Sequence, residues 1–192
     1  KYIGFMGTLL GHQGVDALID AAPQVLHSID DARFVVIGEG PMKDPWRRRV
    51  DERSLQRHFL FTGPIEYENT PVWINAMDVC TAPFTVAAGL RSPVKIFDYM
   101  ACGKPVVASR IAGTTDLFEG SGAVRLVEPE NSGALAAAIV DILADAEEAA
   151  RMGLKGRRLV EDRYDRKALA KNIQDEAYGL LQSRGGMTGS PV

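Results

Sequence analysis

The stretch of the sequence with the most potential for chemistry is a glycine-containing loop that runs into a predicted helix, over residues 88–109. The free backbone N–H groups and the positive dipole end of a helix N-terminus favour an anion, and Arg91 and Lys95 add positive charge there. Asp98 lies about 1.7 turns after Ser92, where its carboxylate could accept the hydroxyls of a ribose whose phosphates contact the helix tip. An ordinary capped surface helix explains the same residues, and the residue types alone favour neither interpretation.

Other motifs give weaker indications. No His, Cys, Asp and Glu cluster has the spacing of metal ligands, so we predict no metal site. The sequence lacks the Gly-x-x-x-x-Gly-Lys-Ser/Thr motif of a P-loop. Cys80 and Cys102 are predicted to be core thiols rather than nucleophiles or a disulfide scaffold. His12 lies in a predicted site loop and could contact a phosphate there, but the three histidines are scattered along the sequence, which favours no functional role.

The elements that must position these residues alternate between strands and helices. Short apolar or β-branched runs predict strands at residues 2–6, 33–37, 59–61, 78–82, 106–109 and 123–127. Helical spacing or helix-forming composition predicts helices at residues 15–29, 45–56, 71–77, 93–101, 135–143, 147–162 and 166–182. Pro23 should kink or interrupt the first helix, and Asn69 and Thr70 are plausible caps of the third.

Strands joined by single helices pair in parallel through right-handed crossovers, so the sequence predicts an α/β fold with a doubly wound, Rossmann-like parallel sheet. Ligands of such sheets bind beyond the carboxyl ends of the strands. The loops at residues 7–14, 38–41, 63–67, 85–93 and 110–115 should all open at that edge.

Composition excludes several classes of protein. Hydrophobic residues make up 46% of the 192 residues, which is ordinary for a globular domain. The net charge of -3 argues against a general nucleic-acid binder. No apolar run approaches the ~20 residues of a membrane span, so we expect a cytoplasmic protein. The basic run that begins at Arg47-Arg48-Arg49 is interpreted as a solvated helix face. The alternative interpretation is contact with a lipid-phosphate acceptor or with the inner membrane face.

The ends of the chain suggest a piece of a longer protein, because a predicted strand begins at the second residue. We assign residues 1–182 to one Rossmann-like domain. The Gly- and Ser-rich residues 183–192 are assigned to a flexible tail.

A family resemblance sharpens the interpretation of the loop and helix. The pattern Ser-Pro-x-Lys-x-Phe-Asp-Tyr-Met-Ala-x-Gly-Lys-Pro-Val-Val-Ala, which starts at Ser92, resembles the signature of retaining GT-B glycosyltransferases of family 4, the group 1 transferases. Further segments match in order: Gly-Thr-Leu from Gly7, Val-Val-Ile-Gly-Glu-Gly-Pro from Val35, Phe-Thr-Gly-Pro-Ile from Phe61, and Met-Asp-Val from Met77. Each match is weak alone, but their joint order along nearly the whole chain is specific. The resemblance implies one half of a GT-B architecture, the half that holds the nucleotide-sugar donor.

The resemblance also implies roles for individual residues. Asp98 takes the place of the family glutamate that binds the ribose hydroxyls, and Ser92 with its neighbours would meet the diphosphate. The charge that stabilises the departing diphosphate could come from Arg91, Lys95 or the helix tip. The implied donor-binding residues are Gly7, Thr8, Gln13, Gly63, Ile65, Gly89, Leu90, Ser92, Pro93, Val94 and Asp98.

The sequence departs from the family pattern at three points. Many members carry an arginine and a lysine where this chain has Thr8 and Gln13, neither of which supplies charge. Many also carry a Glu-Gly-Phe-Gly type loop where this chain has residues 88–93, although a subgroup shares the Ser-Pro-x-Lys form. Asp98 is one methylene shorter than the family glutamate.

The resemblance thus implies a retaining transferase that moves a sugar from a UDP- or GDP-linked donor to a hydroxyl acceptor, with no separate cofactor. Its expected partners are the nucleoside-diphosphate sugar, an N-terminal acceptor domain of the same protein, and a lipid-linked acceptor or membrane surface. Two alternatives remain. The first is a non-catalytic nucleotide-binding or assembly module, which the neutral Thr8 and Gln13 favour. The second is a GT-B epimerase or phosphorylase, which the Ser-Pro-x-Lys motif disfavours.

Overall fold

A computed structural model of the protein describes residues 1–89 and 93–185. The strands run over Tyr2–Met6 (β1), Arg33–Ile37 (β2), Phe59–Gly63 (β3), Val79–Ala82 (β4), Val106–Ser109 (β5) and Val124–Val127 (β6). The α-helices run over Val15–Ser28 (α1), Lys43–Glu52 (α2), Thr70–Asn75 (α3), Val94–Ala101 (α4), Ala112–Phe118 (α5), Ser132–Ala144 (α6), Ala146–Arg163 (α7) and Arg166–Gly185 (α8). Three single-turn 3-10 helices lie in the loops, at Gly11–Gln13, Tyr67–Asn69 and Val86–Ala88.

The strands form one sheet in the order β3-β2-β1-β4-β5-β6, and every neighbouring pair is parallel. The order runs one way from β1 to β3 and the other way from β4 to β6, which makes the junction of β1 and β4 the topological switch point. The predicted doubly wound α/β sheet is therefore confirmed.

Two apolar layers cover the two faces of the sheet. On β2, Phe34 and Val36 face one layer with α1 and α6, whereas Val35 and Ile37 face the other with α4. The alternation follows from the two-residue period of a strand. All four residues of β4 and all four of β5 are buried, as expected for central strands with helices on both faces.

Several predicted elements differ in detail from the structure. Helix α1 runs without interruption through Pro23. Helix α5 was not predicted from the sequence, which placed a loop at residues 110–115. The capping prediction for α3 is wrong, because Asn69 ends a 3-10 turn and makes no side-chain cap hydrogen bond.

The basic run lies on α2. Arg49 and Arg53 both pair with Asp20 of α1, with N–O distances of 2.7 and 2.6 Å, so part of the positive charge ties α2 to α1. Arg47 and Arg48 are exposed, which agrees with a solvated helix face.

Helix α4 is attached to the switch point by a hydrogen bond to the backbone. The N–H of Met6, at the end of β1, donates to the buried Tyr99 hydroxyl over 2.8 Å. Strand β1 pairs through five residues with β2 but only two with β4, which leaves room beside its carboxyl end. The first turns of α4 are thereby fixed beside the end of β1.

Within the described part of the chain, no helix combines the length and the apolarity needed to cross a membrane.

Candidate functional site

A cleft of about 850 Å³ opens at the carboxyl ends of β1, β2 and β3 and is closed on one side by α4. This volume lies within the ~300–1,000 Å³ of typical ligand pockets. The cleft is lined by Met6, Gly7, Thr8, Leu10, His12, Gln13, Ile37, Gly38, Glu39, Pro64, Ile65, Tyr67, Thr70, Phe84, Val94, Lys95 and Asp98. Its position at the switch point is the one that the parallel-sheet rule predicts.

The floor of the cleft is formed by backbone segments that pack too closely to leave space for any side chain, so glycine is required there. The N–H of Gly7 donates to the carbonyl of Ile37, and the N–H of Gly38 donates to the carbonyl of Gly63, each over 3.0 Å. A Cβ at Gly38 would lie 2.0 Å from the Gly7 carbonyl oxygen, and Gly38 has a φ of +133°. The loops after β1, β2 and β3 therefore form one closely packed surface for a ligand.

The loop after β1 is also fixed to the loop after β4. A Cβ at Gly14, where φ is +70°, would lie 1.7 Å from the carbonyl oxygen of Pro83. The N–H of Thr85 donates to the carbonyl of His12 over 3.1 Å. The 3-10 turn that carries His12 and Gln13 therefore has a defined position beside α4.

Lys95 brings a positive charge from α4 to the end of β1. Its ammonium lies 4.0 Å from the ring centre of Phe5 and 5.2 Å from that of Phe84. It donates a hydrogen bond to the side-chain oxygen of Gln13, 82 residues earlier in the chain. A Cβ at Gly7 would lie 2.8 Å from the ammonium nitrogen, so the absence of a side chain there makes room for the charge.

The surroundings of Lys95 prepare it to bind an anion. Burial lowers the pKa of its amino group to about 7, because desolvation disfavours the charged form. Among the described residues, none of the ion pairs involves Lys95. A ligand anion beside Lys95 would restore the charged form and be held by it.

Asp98 lies one turn further along the same helix. It follows Lys95 by three residues, about 4.5 Å along the helix axis, and lines the same cleft. A smaller cavity of about 390 Å³ adjoins the cleft and shares Tyr67, Thr70 and Asp98 with it. A carboxylate accepts two hydroxyl hydrogen bonds, so Asp98 suits a diol placed between an anion at Lys95 and a planar group near Tyr67.

The structure brings together seven of the predicted site residues and places others elsewhere. Those that line the cleft are Gly7, Thr8, Gln13, Ile65, Val94, Lys95 and Asp98. Gly63 is buried at the end of β3, Pro93 is buried at the start of α4, and Gly89 ends a 3-10 turn; none of the three lines the cleft. Leu90, Arg91 and Ser92 lie outside the described residues.

Sequence reasoning missed several residues of the cleft. Glu39 and Gly38 follow β2, whereas Tyr67 and Thr70 follow β3. The rule that loops after parallel strands converge could have included Glu39, since residues 38–41 were already expected at that edge. Glu39 is exposed and its pKa is lowered mainly by a 2.7 Å hydrogen bond from Lys43.

No group of three or more His, Cys, Asp or Glu side chains within residues 1–89 and 93–185 could hold a metal ion.

Comparisons with known proteins agree with this geometry. The family model described as "Glycosyl transferases group 1" matches residues 1–145. The GDP-mannose-dependent alpha-(1-6)-phosphatidylinositol monomannoside mannosyltransferase of Mycolicibacterium smegmatis is 27% identical over 183 residues, 93% of this chain and 48% of the relative. The structure of Anabaena HepE in complex with UDP superimposes with a TM-score of 0.84, at 22% identity, over 93% of this chain and 48% of that one.

A second structural neighbour has about the same extent as this chain. The C-terminal domain of LpcC, a glycosyl transferase group 1 family protein from Francisella tularensis, superimposes with a TM-score of 0.74 at 24% identity and covers 86% of each chain. By contrast, the chain spans about half the length of the curated relatives it matches. Because the family model covers most of the sequence, from the first strand to the end of α6, the chain belongs to the group 1 glycosyl transferases.

Proposed function

We propose that this chain is the donor-binding half of a retaining glycosyltransferase, which holds a UDP- or GDP-linked sugar for transfer to a hydroxyl acceptor. The main observation behind it is that Lys95 and Asp98, one helical turn apart on α4, both line the cleft at the switch point. The acceptor site and the remaining catalytic groups are proposed to lie on another part of a longer protein, since this chain matches about half of its relatives.

The two charges suit the two ends of a nucleoside diphosphate. The diphosphate would lie against Gly7, the Lys95 ammonium and the N-terminus of α4, where charge and helix dipole both favour an anion. The ribose hydroxyls would donate to Asp98, and the base would extend past Ile65 toward Tyr67. Diphosphate, ribose and base would thus follow one another along α4, starting at its N-terminus.

In the proposed transfer, the bond between the anomeric carbon and the diphosphate oxygen breaks, and the diphosphate leaves with the bonding electrons. The anomeric carbon bonds to the acceptor oxygen on the face from which the diphosphate left, and the proton of the acceptor hydroxyl passes to a phosphate oxygen of the departing diphosphate. Negative charge develops on the departing diphosphate, so the Lys95 ammonium stabilises the transition state more than the bound donor. Lys95 and the helix tip provide this charge without a separate cofactor.

The relatives suggest which donors and acceptors to examine. The mycobacterial relatives are GDP-mannose-dependent enzymes named for a phosphatidylinositol mannoside acceptor, whereas HepE was solved with UDP. A lipid-linked acceptor would bring the protein to a membrane surface, where the exposed Arg47 and Arg48 of α2 could contact anionic headgroups.

Calorimetric titration of this chain with GDP-mannose, UDP-glucose, GDP and UDP, each with and without a chelator, tests the proposal. We expect saturable binding of one nucleotide series that the chelator does not change. Lys95→Met should weaken this binding at least tenfold, whereas Lys155→Met, at an exposed lysine of α7, should not change it. If none of the four ligands shows saturable binding, the proposal is contradicted.

A second candidate is a non-catalytic nucleotide-binding module, which the neutral side chains of Thr8 and Gln13 in the loop after β1 favour. Assays of the full-length protein distinguish the two. Nucleotide-sugar binding without transfer or donor hydrolysis would favour the non-catalytic module, and sugar transfer would exclude it.

A further inference from the structure

Three polar side chains form a continuous chain from the loop after β1 to the Lys95 ammonium. The ring nitrogen Nε2 of His12 lies 3.1 Å from the amide nitrogen Nε2 of Gln13. The amide oxygen of Gln13 in turn accepts a hydrogen bond from Lys95. His12, Gln13 and Lys95 are all partly buried and all line the donor cleft.

The hydrogen-bonding groups of these side chains allow one arrangement. An ammonium group has donors only, so the Gln13 amide must turn its oxygen toward Lys95. The amide nitrogen, which is also a donor, then faces His12. Nε2 of His12 must therefore be the acceptor, which assigns to His12 the neutral tautomer with its proton on Nδ1.

The backbone that carries His12 is held independently of Lys95. The carbonyl of His12 accepts the 3.1 Å hydrogen bond from Thr85, and Gly14 packs directly on the Pro83 carbonyl. The lysine side chain has four rotatable bonds, so holding its ammonium in one place costs conformational entropy. A ring carried on this fixed backbone can orient the Gln13 amide and, through it, restrain the Lys95 ammonium.

We propose that His12 is a positioning residue for the donor diphosphate: through the Gln13 amide, it holds the Lys95 ammonium against Gly7. This inference rests on the proposed function, because the diphosphate is the ligand that Lys95 would meet. His12 acts through Gln13 in this arrangement, so its contribution to binding depends on Lys95. That dependence separates a positioning role from simple packing of the ring.

Two substitutions of His12 differ in whether the acceptor is kept. His12→Phe keeps a ring of similar size without an acceptor, and we expect it to weaken binding of the preferred nucleotide sugar about three- to tenfold. His12→Asn can present an oxygen to the Gln13 amide and should restore most of that loss. Gln13→Leu breaks the same chain at its middle and should weaken binding as much as His12→Phe.

A double-mutant cycle with Lys95→Met provides the decisive readout. If His12 acts through Lys95, His12→Phe should cause no further loss in the Lys95→Met background. An equal loss in both backgrounds, an unchanged affinity in His12→Phe, or no rescue by His12→Asn would overturn the proposal. Thermal melts identify any variant that fails to fold, in which case the Gln13→Leu and Lys95→Met pair completes the cycle. If the unsubstituted chain binds no nucleotide sugar, the proposed function itself has failed.

Discussion

Binding of the nucleotide sugar should weaken as the pH rises through the pKa of Lys95. Burial lowers that pKa to about 7, so the free protein loses the ammonium charge above neutrality. A bound diphosphate stabilises the charged form, so binding above pH 7 includes the uptake of a proton by Lys95. The direction is therefore tighter binding at lower pH within this range.

The size of the effect follows from the fraction of Lys95 that is charged. If only the charged form binds, the apparent Kd rises by a factor of about 2 at pH 7 and about 100 at pH 9, a ratio of about fifty. At pH 8 only about one tenth of the free protein carries the charge, so binding should take up about 0.9 proton. A nucleotide sugar is the suitable probe because its diphosphate diester does not titrate between pH 7 and 9.

Cys102 and the terminal amine of Lys1 do not line the cleft. The pKa of Cys102 is raised above its ordinary value, chiefly by burial. The terminal amine of Lys1 lies beside Asp31, at the amino end of β1 and away from the cleft. Among the described residues, the charged or titratable groups that share the cleft with Lys95 are His12, Glu39, Tyr67 and Asp98.

The assay is calorimetric titration from pH 7 to 9, repeated in buffers of different ionisation enthalpy so that proton uptake is measured directly. Lys95→Arg is the matched control, because a guanidinium stays charged throughout and its affinity should not depend on pH. A change of less than about threefold between pH 7 and 9 would refute the reasoning, as would equal slopes for the two proteins.

Three further outcomes are expected. Lys95→Met should raise the free energy of unfolding by about 2 kcal/mol at pH 6, measured by urea unfolding. Because the pKa of Lys95 is lower in the folded than in the unfolded chain, this gain should shrink as the pH rises above 7. A gain that grew with pH would be inconsistent with the burial of a charge. Gly14→Ala should lower the free energy of unfolding by about 2 kcal/mol or more, because its Cβ would overlap a backbone carbonyl. Gly11→Ala, in the same loop, places its Cβ in open space and should change the free energy of unfolding little. Equal losses in the two variants would be evidence against the packing described. Asp98→Asn should weaken nucleotide binding about tenfold, and the loss should be smaller with a 2′,3′-dideoxy nucleotide. Asp141→Asn, at an exposed position of α6, should have no effect. Equal losses with both nucleotides would remove Asp98 from the ribose site.

The sequence predicts most of the sheet because the pattern of each strand is local. Strands β1, β2 and β5 have the predicted bounds, since short apolar or β-branched runs end at Gly7, at Gly38 and at the Ser109–Arg110 boundary. Helix α5 could not be predicted, because Gly113 and two adjacent threonines are poor helix formers.

Local hydrogen bonds between one side chain and the nearby backbone support the start of α5. The buried Thr114 hydroxyl accepts from the N–H of Ile111 and donates to backbone carbonyls, and this closes the first turn. The capping prediction for α3 failed because a 3-10 turn precedes the helix. In that turn the backbone N–H of Asn69 donates to the carbonyl of Glu66.

The candidate site was predictable in its location but not in its contacts. Loop positions and the motif from Ser92 indicated which residues approach the carboxyl edge of the sheet. The hydrogen bond between Gln13 and Lys95 joins residues 82 positions apart, and neither side chain alone indicates it. The sequence showed a neutral residue at position 13, whereas the structure shows a cation from α4 beside it.

The narrow junction of β1 with β4 has a consequence for the cooperativity of the fold. Two residue pairs join these strands, whereas five join β1 to β2 and four join β5 to β6. Helices α1 and α6 pack against each other in one apolar layer that spans this junction, so helix packing as well as strand pairing holds the two halves of the sheet together. Amide hydrogen exchange should therefore show one cooperative unit rather than two. A nucleotide held between the loop after β1 and helix α4 would join the two halves at the carboxyl edge of the sheet as well.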